Sequence, residues 1–433
     1  MNITVVGGGY VGLTTGICLS HLGYKVKVVE KIPQKVQMLK EGHLPIYEPG
    51  LEELLQESLK QDRISFTTDI VEGIDFSQVI FVCVGTPEQE DGSADLSQVE
   101  EVARLTAQHM KDYKLLIEKS TVPVNTHKLI KKTVQRYMKS PIEFDVVSNP
   151  EFLREGNAVK DFLEPDRIVI GVESDRAKSI MQEIYKPIKA PIIFTDPATA
   201  ELIKHASNSF LAMKISFINM IADLCEKTGA DVKLVADGIG YDKRIGRAFL
   251  DAGIGWGGSC FPKDVKAFIK IAEDHGVDFS LLKEVEKINA ERIDRFIQKV
   301  KTALWSLKDK RLAVWGLSFK PNTDDIRYAP SIKVVSALLK HGAKLSLYDP
   351  KAMNNFKRLF PEGKDLSYAQ DMYQALVDCE ALLILTEWEE FKKADLQKVK
   401  ELLRLPIIVD GRNIYEPSKM REEGFEYYCM GRS

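Results

Sequence analysis

ITVVGGGYVGLTTGICLSHLGYKVKVVEK, residues 3–31, is a β-branched run, a glycine turn, an apolar helix-sized stretch and a second β-branched run that ends in Glu30. The period of the apolar residues switches at the glycines from that of a strand to that of a helix, which predicts a βαβ unit. Gly7, Gly9 and Gly12 form GxGxxG at the strand-to-helix turn. There, missing side chains let the backbone approach a pyrophosphate while the helix N-terminus faces the anion. A carboxylate at Glu30 can accept hydrogen bonds from a ribose diol and repel a 2′-phosphate, so the unit predicts NAD rather than NADP. A glycine turn with no cofactor would not call for the acid.

Outward from this unit, VIFVCVG (79–85), KLLIEKS (114–120) and FDVVSN (144–149) read as further apolar strands with helix-like stretches between them. Continuous apolar strands predict a parallel sheet covered on both faces. From about residue 198 to 300 the chain reads as helices, among them ATAELIKHASNSFLAMKISFINMIADLCEKTG (198–229). After KDKR (308–311) strands return in LAVWGLSFK and AKLSLYDP, and Gly342 and Asp349 repeat the spacing of Gly23 and Glu30. The fold class expected is α/β: two Rossmann-like parallel-sheet domains, 1–197 and 301–433, joined by a central helical region, 198–300. The second first-turn, GLSFKPNTDD, lacks GxGxxG, so it binds a different nucleotide-like ligand or none.

A chain of 433 residues suits two or three domains. Its net charge of −3, with 28% charged residues, supplies no basic stripe for nucleic acid or an anionic membrane surface. No 18-residue apolar run is present, and the N-terminus enters a strand at once without a signal-peptide pattern, which predicts a cytoplasmic protein. Cys18, Cys83, Cys225, Cys260, Cys379 and Cys429 lie far apart, which argues against a disulfide framework and a CxxC metal site. The seven histidines show no HExxH spacing, so no metal is expected.

Several residues stand out for their chemistry. Thr86 and Thr121 follow strands, at the edge where open α/β sheets bind ligands, although a turn or capping hydroxyl would look the same. Glu151 and Glu155 in SNPEFLREG share a face if that segment is helical, and by spacing alone they read as solvated charges. Lys204 and Asn208 are four apart in an apolar helical stretch; a desolvated lysine there could exchange protons or stabilise an oxyanion, whereas most lysines snorkel to solvent. Cys260 lies in GIGWGGSCFPKD (253–264), where glycines permit positive φ and open amides and Pro262 suits a first helical turn. A thiol at a helix start beside Lys263 is easily made a thiolate.

The segments GGGYVGL, VGTPEQEDGSADLS, EKSTVPV, SNPEFLREG, ELIKHASNSF, RIGRAFLDAGIGWGGSCFPKD and GLSFKPNTDDIRYAPS run in order along almost the whole chain. Together they resemble the UDP-glucose/GDP-mannose dehydrogenase family, and GGSCFPKD resembles its UDP-glucose 6-dehydrogenases rather than the GGHC type found in UDP-N-acetylmannosamine enzymes. The resemblance implies an N-terminal NAD-binding domain, a helical dimer core and a C-terminal UDP-binding domain. It makes Cys260 the nucleophile, gives Lys204 and Asp264 the oxyanion and water, and has Asn208 hold the sugar. Glu151 would act in acid/base work and Thr121 would hold the catalytic water. Cofactor contacts would come from Gly7, Gly9, Tyr10, Val11, Gly12, Glu30, Lys35, Thr86, Thr121, Glu155, Lys263 and Arg327.

Substrate contacts implied by the resemblance are Glu151, Phe152, Leu153, Arg154, Glu155, Lys204 and Asn208, the loop Phe249, Leu250, Asp251, Ala252 and Gly253, and then Gly257 and Lys320. Arg244 would reach the partner's site in a homodimer, and Arg412 would contact the uridine. The implied reaction is a four-electron oxidation of UDP-glucose to UDP-glucuronate through a thiohemiacetal and a thioester on Cys260, with two NAD+ reduced per sugar. The same chemistry on a UDP-N-acetylhexosamine or on GDP-mannose is the alternative. A two-electron hydroxyacid dehydrogenase or a non-catalytic NAD sensor would not need the thiol.

Overall fold

Beyond their exposed first residues the N-terminal β-branched runs are mostly buried, as a parallel sheet covered on both faces requires. The computed structural model describes residues 1–432, and these form two compact units. The first comprises Met1–Ser207 with Lys266–Val277, and the second Asn208–Val265 with the chain from Asp278 onward.

In the first unit, β1 (Asn2–Val6), β2 (Lys25–Val29), β3 (Ile64–Thr67), β4 (Val79–Val82), β5 (Lys114–Glu118), β6 (Phe144–Ser148), β7 (Ile168–Gly171) and β8 (Ile192–Thr195) form one sheet among the described residues. Its order is β3-β2-β1-β4-β5-β6-β7-β8. All neighbours run parallel except β6 and β7, which meet antiparallel at Ser148 and Gly171. Register is set by burial: Ile3 faces Val26 and Val5 faces Val28, and all four are in the core with Leu13 and Ile17 of the helix Tyr10–His21. A slip of one residue would turn that apolar set outward.

In the second unit, β9 (Arg311–Trp315), β10 (Lys344–Tyr348), β11 (Leu366–Tyr368), β12 (Ala381–Ile384), β13 (Ile407–Asp410) and β14 (Glu426–Cys429) form an all-parallel sheet in the order β11-β10-β9-β12-β13-β14. The strand order thus reverses between β1 and β4, and again between β9 and β12. Such switch points open a crevice at the carboxyl ends of the strands. Both expected Rossmann-like sheets are therefore present. The expected long helix is present as Pro197–Thr228, and the helices Phe261–Asp274 and Ser280–Leu304 follow it. No helix among the described residues is long and apolar enough to cross a membrane.

Candidate active site

In the first unit the glycine turn has the form that its sequence predicts. Gly7 follows β1 at φ +114°, and a Cβ there would lie 2.4 Å from the Cys83 carbonyl oxygen; one at Gly12 would lie 1.8 Å from the oxygen of Gly7. Packing alone therefore demands these two glycines. Gly9 differs, because a Cβ there would meet nothing within 4 Å. It is the N-cap of the helix opened by Tyr10 and Val11, and no side chain caps that end. Open space before an uncapped helix N-terminus fits a pyrophosphate. Glu30 is buried just past β2, accepting from the amides of Gly8 (3.1 Å) and Ile32 (2.9 Å), and Lys35 lies in the helix Pro33–Lys40 that follows. These residues fit NAD.

Farther along the same edge, Thr86 and Thr121 are brought together, the Thr86 hydroxyl donating to the Thr121 carbonyl at 2.9 Å. Neither caps a helix, since the helices after them begin at Ser97 and Thr126. The segment after Pro150 is irregular until the helix Ala158–Leu163, so Glu151 and Glu155 do not share a helical face. Glu151 is no solvated charge: it is 6% exposed and takes the Lys204 ammonium at 3.2 Å, with Lys204 itself only 3% exposed. Lys204 does not snorkel. The Phe152 ring lies 5.4 Å from its nitrogen, and the guanidinium of Arg167 sits over that ring at 3.6 Å. Glu151 also accepts from the Leu153 amide, and Arg154 forks onto Asp161.

In the second unit the cysteine loop is a packed structure. Gly255 (φ +98°) and Gly258 (φ +85°) have the positive φ expected of them, and four of the loop's amides donate inside the protein. Gly253 donates to Asn219 (2.8 Å), Ile254 to Gly411 (3.0 Å), Trp256 to Asn289 (2.8 Å) and Gly258 to the Arg327 carbonyl (3.0 Å). A Cβ at Gly257 would lie 2.3 Å from the Tyr328 oxygen, and one at Gly258 2.6 Å from the Phe319 ring, over which Lys320 reaches. Of the four glycines expected to combine positive φ with open amides, Gly253 and Gly258 donate inside the protein, and Gly253 and Gly257 lack the positive φ. The loop's glycines mainly permit backbone to lie on backbone. Arg412 holds the loop through Gly255 (3.0 Å) while also bonding Leu385 (2.9 Å).

Cys260 accepts the first helical hydrogen bond, from the Asp264 amide at 2.8 Å, and so stands as N-cap of the helix Phe261–Asp274, with Pro262 in its first turn. The Ser259 hydroxyl lies 3.7 Å from its sulfur. Among the described residues it is the one cysteine of six that is not buried. Burial pushes the thiols of Cys83 and Cys429 up to about 12 and that of Cys379 to about 11, which leaves them inert. Asp264, 1% exposed, accepts from Asn208 at 2.6 Å and faces the Lys263 ammonium at 3.2 Å. Lys263 is thus held by a carboxylate.

The remaining candidates lie in the second unit. Phe249 has φ +64°, Leu250 and Ala252 are buried, and Asp251 is exposed and paired with Arg247 at 2.7 Å. Arg327 forks onto Asp325. Arg244, 89% exposed in its side chain, does the same with Asp242. Sequence reading missed Asn219 and Asn289, which hold the cysteine loop. It also missed Glu48, whose carboxylate accepts from Gly156 (2.6 Å) and Ala158 (2.7 Å) and so pins the end of SNPEFLREG. A polar residue inside an apolar helical stretch, as Asn219 is in KISFINM, was the available signal.

Models of the UDP-glucose/GDP-mannose dehydrogenase family match residues 1–189 (NAD binding domain), 198–291 (central domain) and 313–417 (UDP binding domain). A UDP-glucose 6-dehydrogenase of Rhizobium meliloti is 46% identical over 100% of both chains. The UDP-glucose 6-dehydrogenase TuaD of Bacillus subtilis is 45% identical over 99% of this chain and 93% of its own. The structure of a UDP-glucose dehydrogenase from Pyrobaculum islandicum superposes with a TM-score of 0.92 at 38% identity, covering 100% of this chain and 98% of that one.

Proposed function

Because this chain belongs to the UDP-glucose/GDP-mannose dehydrogenase family, we propose that it oxidises C6 of UDP-glucose to the carboxylate of UDP-glucuronate, with Cys260 as the covalent nucleophile. The observation that carries this reading is the placement of Cys260 at a helix N-cap, outside the core that silences the other thiols. A helix N-terminus favours the thiolate.

NAD+, when bound, accepts a hydride, that is two electrons, so an alcohol-to-acid oxidation consumes two of them. The glycine turn and Glu30 hold its diphosphate and ribose ends, with Tyr10, Val11, Lys35, Thr86, Thr121, Glu155, Lys263 and Arg327 as further contacts. Lys204, held by Glu151, exchanges the proton of the C6 hydroxyl. After the first oxidation the Cys260 sulfur bonds the aldehyde carbon as a thiohemiacetal; after the second the carbon is a thioester. Water then attacks that carbon, the C–S bond breaks, and the thiolate returns. Lys204 and Asn208 counter the oxyanions of these steps, and Asp264 with Thr121 orients the water. Segment 151–155, loop 249–253, Gly257 and Lys320 seat the sugar nucleotide.

The active form is read as a homodimer. Phe210, Phe217, Met220 and Leu224, each more than half exposed, recur along one face of the long helix, a surface suited to a second copy of this chain. Arg244 then extends toward the partner's site. A thiolate nucleophile also needs a reducing compartment, which favours the cytoplasm. The test is turnover on UDP-glucose beside UDP-N-acetylmannosamine and GDP-mannose with NAD+: UDP-glucose is preferred by at least about tenfold in kcat/KM, about 1.4 kcal/mol. Preference for either other sugar nucleotide overturns the substrate assignment. Sedimentation of Phe217→Lys checks the dimer, which is expected to dissociate; an unchanged sedimentation coefficient removes this face from the interface.

A further inference from the structure

Within the first unit, Glu118, at the end of β5, and Glu201, on the long helix, line a small cavity with room for one water molecule. Thr121 and Lys204 line the same cavity. The two carboxylates are treated differently by their surroundings. Glu201 accepts from the amides of Asn125 (2.6 Å) and His127 (3.1 Å), from the His127 ring (3.1 Å) and from the Ser148 hydroxyl (3.0 Å). Glu118 is 2% exposed and accepts at one oxygen from the Ser120 amide (2.8 Å), while its Oε2 has no hydrogen-bond partner among the described residues. With so few donors, burial favours the protonated form of Glu118.

We propose that Glu118 is a proton-relay residue of this enzyme, exchanging a proton with Lys204 through a water held in the cavity. This rests on the reading of Lys204 as the group that takes the proton of the C6 hydroxyl. In the step, an Nζ–H bond of the Lys204 ammonium breaks as its proton joins the water oxygen. A water O–H bond breaks as that proton joins Oε2 of the ionised Glu118 carboxylate, the form whose share grows as pH rises through about 8. The net change is one proton moved, leaving Lys204 an amine ready for the next oxidation. Burial, opposed by the Ser120 bonds and aided by the charge of Glu201, pushes the Glu118 carboxyl up to about 8. A group titrating there can both take and return a proton. Charged or titratable groups facing it include Lys204 and Glu201 on the long helix, Cys83 after β4 and its chain neighbour Lys119, with His127 bonded to Glu201 and Glu151 to Lys204 behind them.

The test uses the full-length enzyme and Glu118→Gln, with Glu118→Asp as a second variant that keeps a carboxyl. In wild type, infrared difference spectra show a protonated-carboxyl C=O band that disappears as pH rises through about 8; it is absent from E118Q and retained in E118D. In turnover, E118Q loses about 5- to 20-fold in kcat with KM for both substrates within about twofold, and the limb of its kcat profile near pH 8 flattens. Linkage supplies a third readout. The folded carboxyl binds its proton more tightly than the unfolded one, so wild-type stability falls as pH rises from about 4.5 to about 8, and E118Q escapes that fall. A band that persists in E118Q, or a kcat profile identical to wild type, overturns the proposal. The infrared band requires no turnover, so a Lys204→Ala enzyme of unchanged rate would refute the site reading while leaving the Glu118 titration separately decided.

Discussion

Gly7, just after β1, and Gly316, just after β9, occupy the same place in two sheets whose strand order agrees over six strands. Each donates to the last residue of the neighbouring strand segment, Gly7 to Val29 and Gly316 to Tyr348, both at 2.9 Å. Each has positive φ, and each lies where a Cβ would strike the chain after the facing strand, at Cys83 or Thr386. Beyond that point the turns diverge. In the first, the helix begins at once from an open, uncapped Gly9; in the second, no helix starts until Pro330. The acids diverge with them. Asp349 is wholly buried and accepts from the amides of Leu317, Ser318, Lys351 and Ala352, the Ser318 hydroxyl and the Trp388 ring nitrogen. Glu30 accepts from two amides. The pair teaches that a Rossmann strand order does not by itself make a dinucleotide site; the free helix start does.

Substitutions at the two turns separate what they share from what only the first one does. The largest effect is expected where both turns are alike: Gly7→Ala and Gly316→Ala each force a Cβ into backbone at positive φ and cost about 3 kcal/mol or more, seen as similar drops in Tm. If only Gly7→Ala lowers Tm, the turns are not equivalent. Next, Asp349→Asn loses charge-assisted bonds in a buried site and is expected to cost about 2–4 kcal/mol in urea unfolding with KM for NAD+ unchanged. Glu30→Gln is expected to act the other way, costing about 1 kcal/mol of stability and raising KM for NAD+ about tenfold. The smallest structural effect belongs to Gly9→Ala, whose Cβ meets open space: stability stays within about 0.5 kcal/mol while NAD+ binding weakens. Calorimetry that found NAD+ affinity intact in Gly9→Ala would remove the pyrophosphate from that turn.

The βαβ unit and the echo of Gly23–Glu30 in Gly342–Asp349 were legible because strand and helix periods and glycine positions are local signals. The depth of Lys204 and Glu151 was not, since burial depends on strands and helices far apart in sequence. Spacing alone made Glu151 a surface charge, and the ion pair with Lys204 reverses that reading. The glycines around Cys260 were legible as necessary, but the need comes from Asn289, Tyr328 and Phe319 pressing on the loop, contacts that no local pattern encodes.

The stoichiometry of NADH formed per UDP-glucose consumed shows whether one site carries the sugar through both oxidations. Two NADH are expected for the wild-type chain, with kcat for UDP-glucuronate falling by about 10³-fold or more in Cys260→Ser. A wild-type ratio of one, or undiminished four-electron oxidation by Cys260→Ser, would contradict the thioester route.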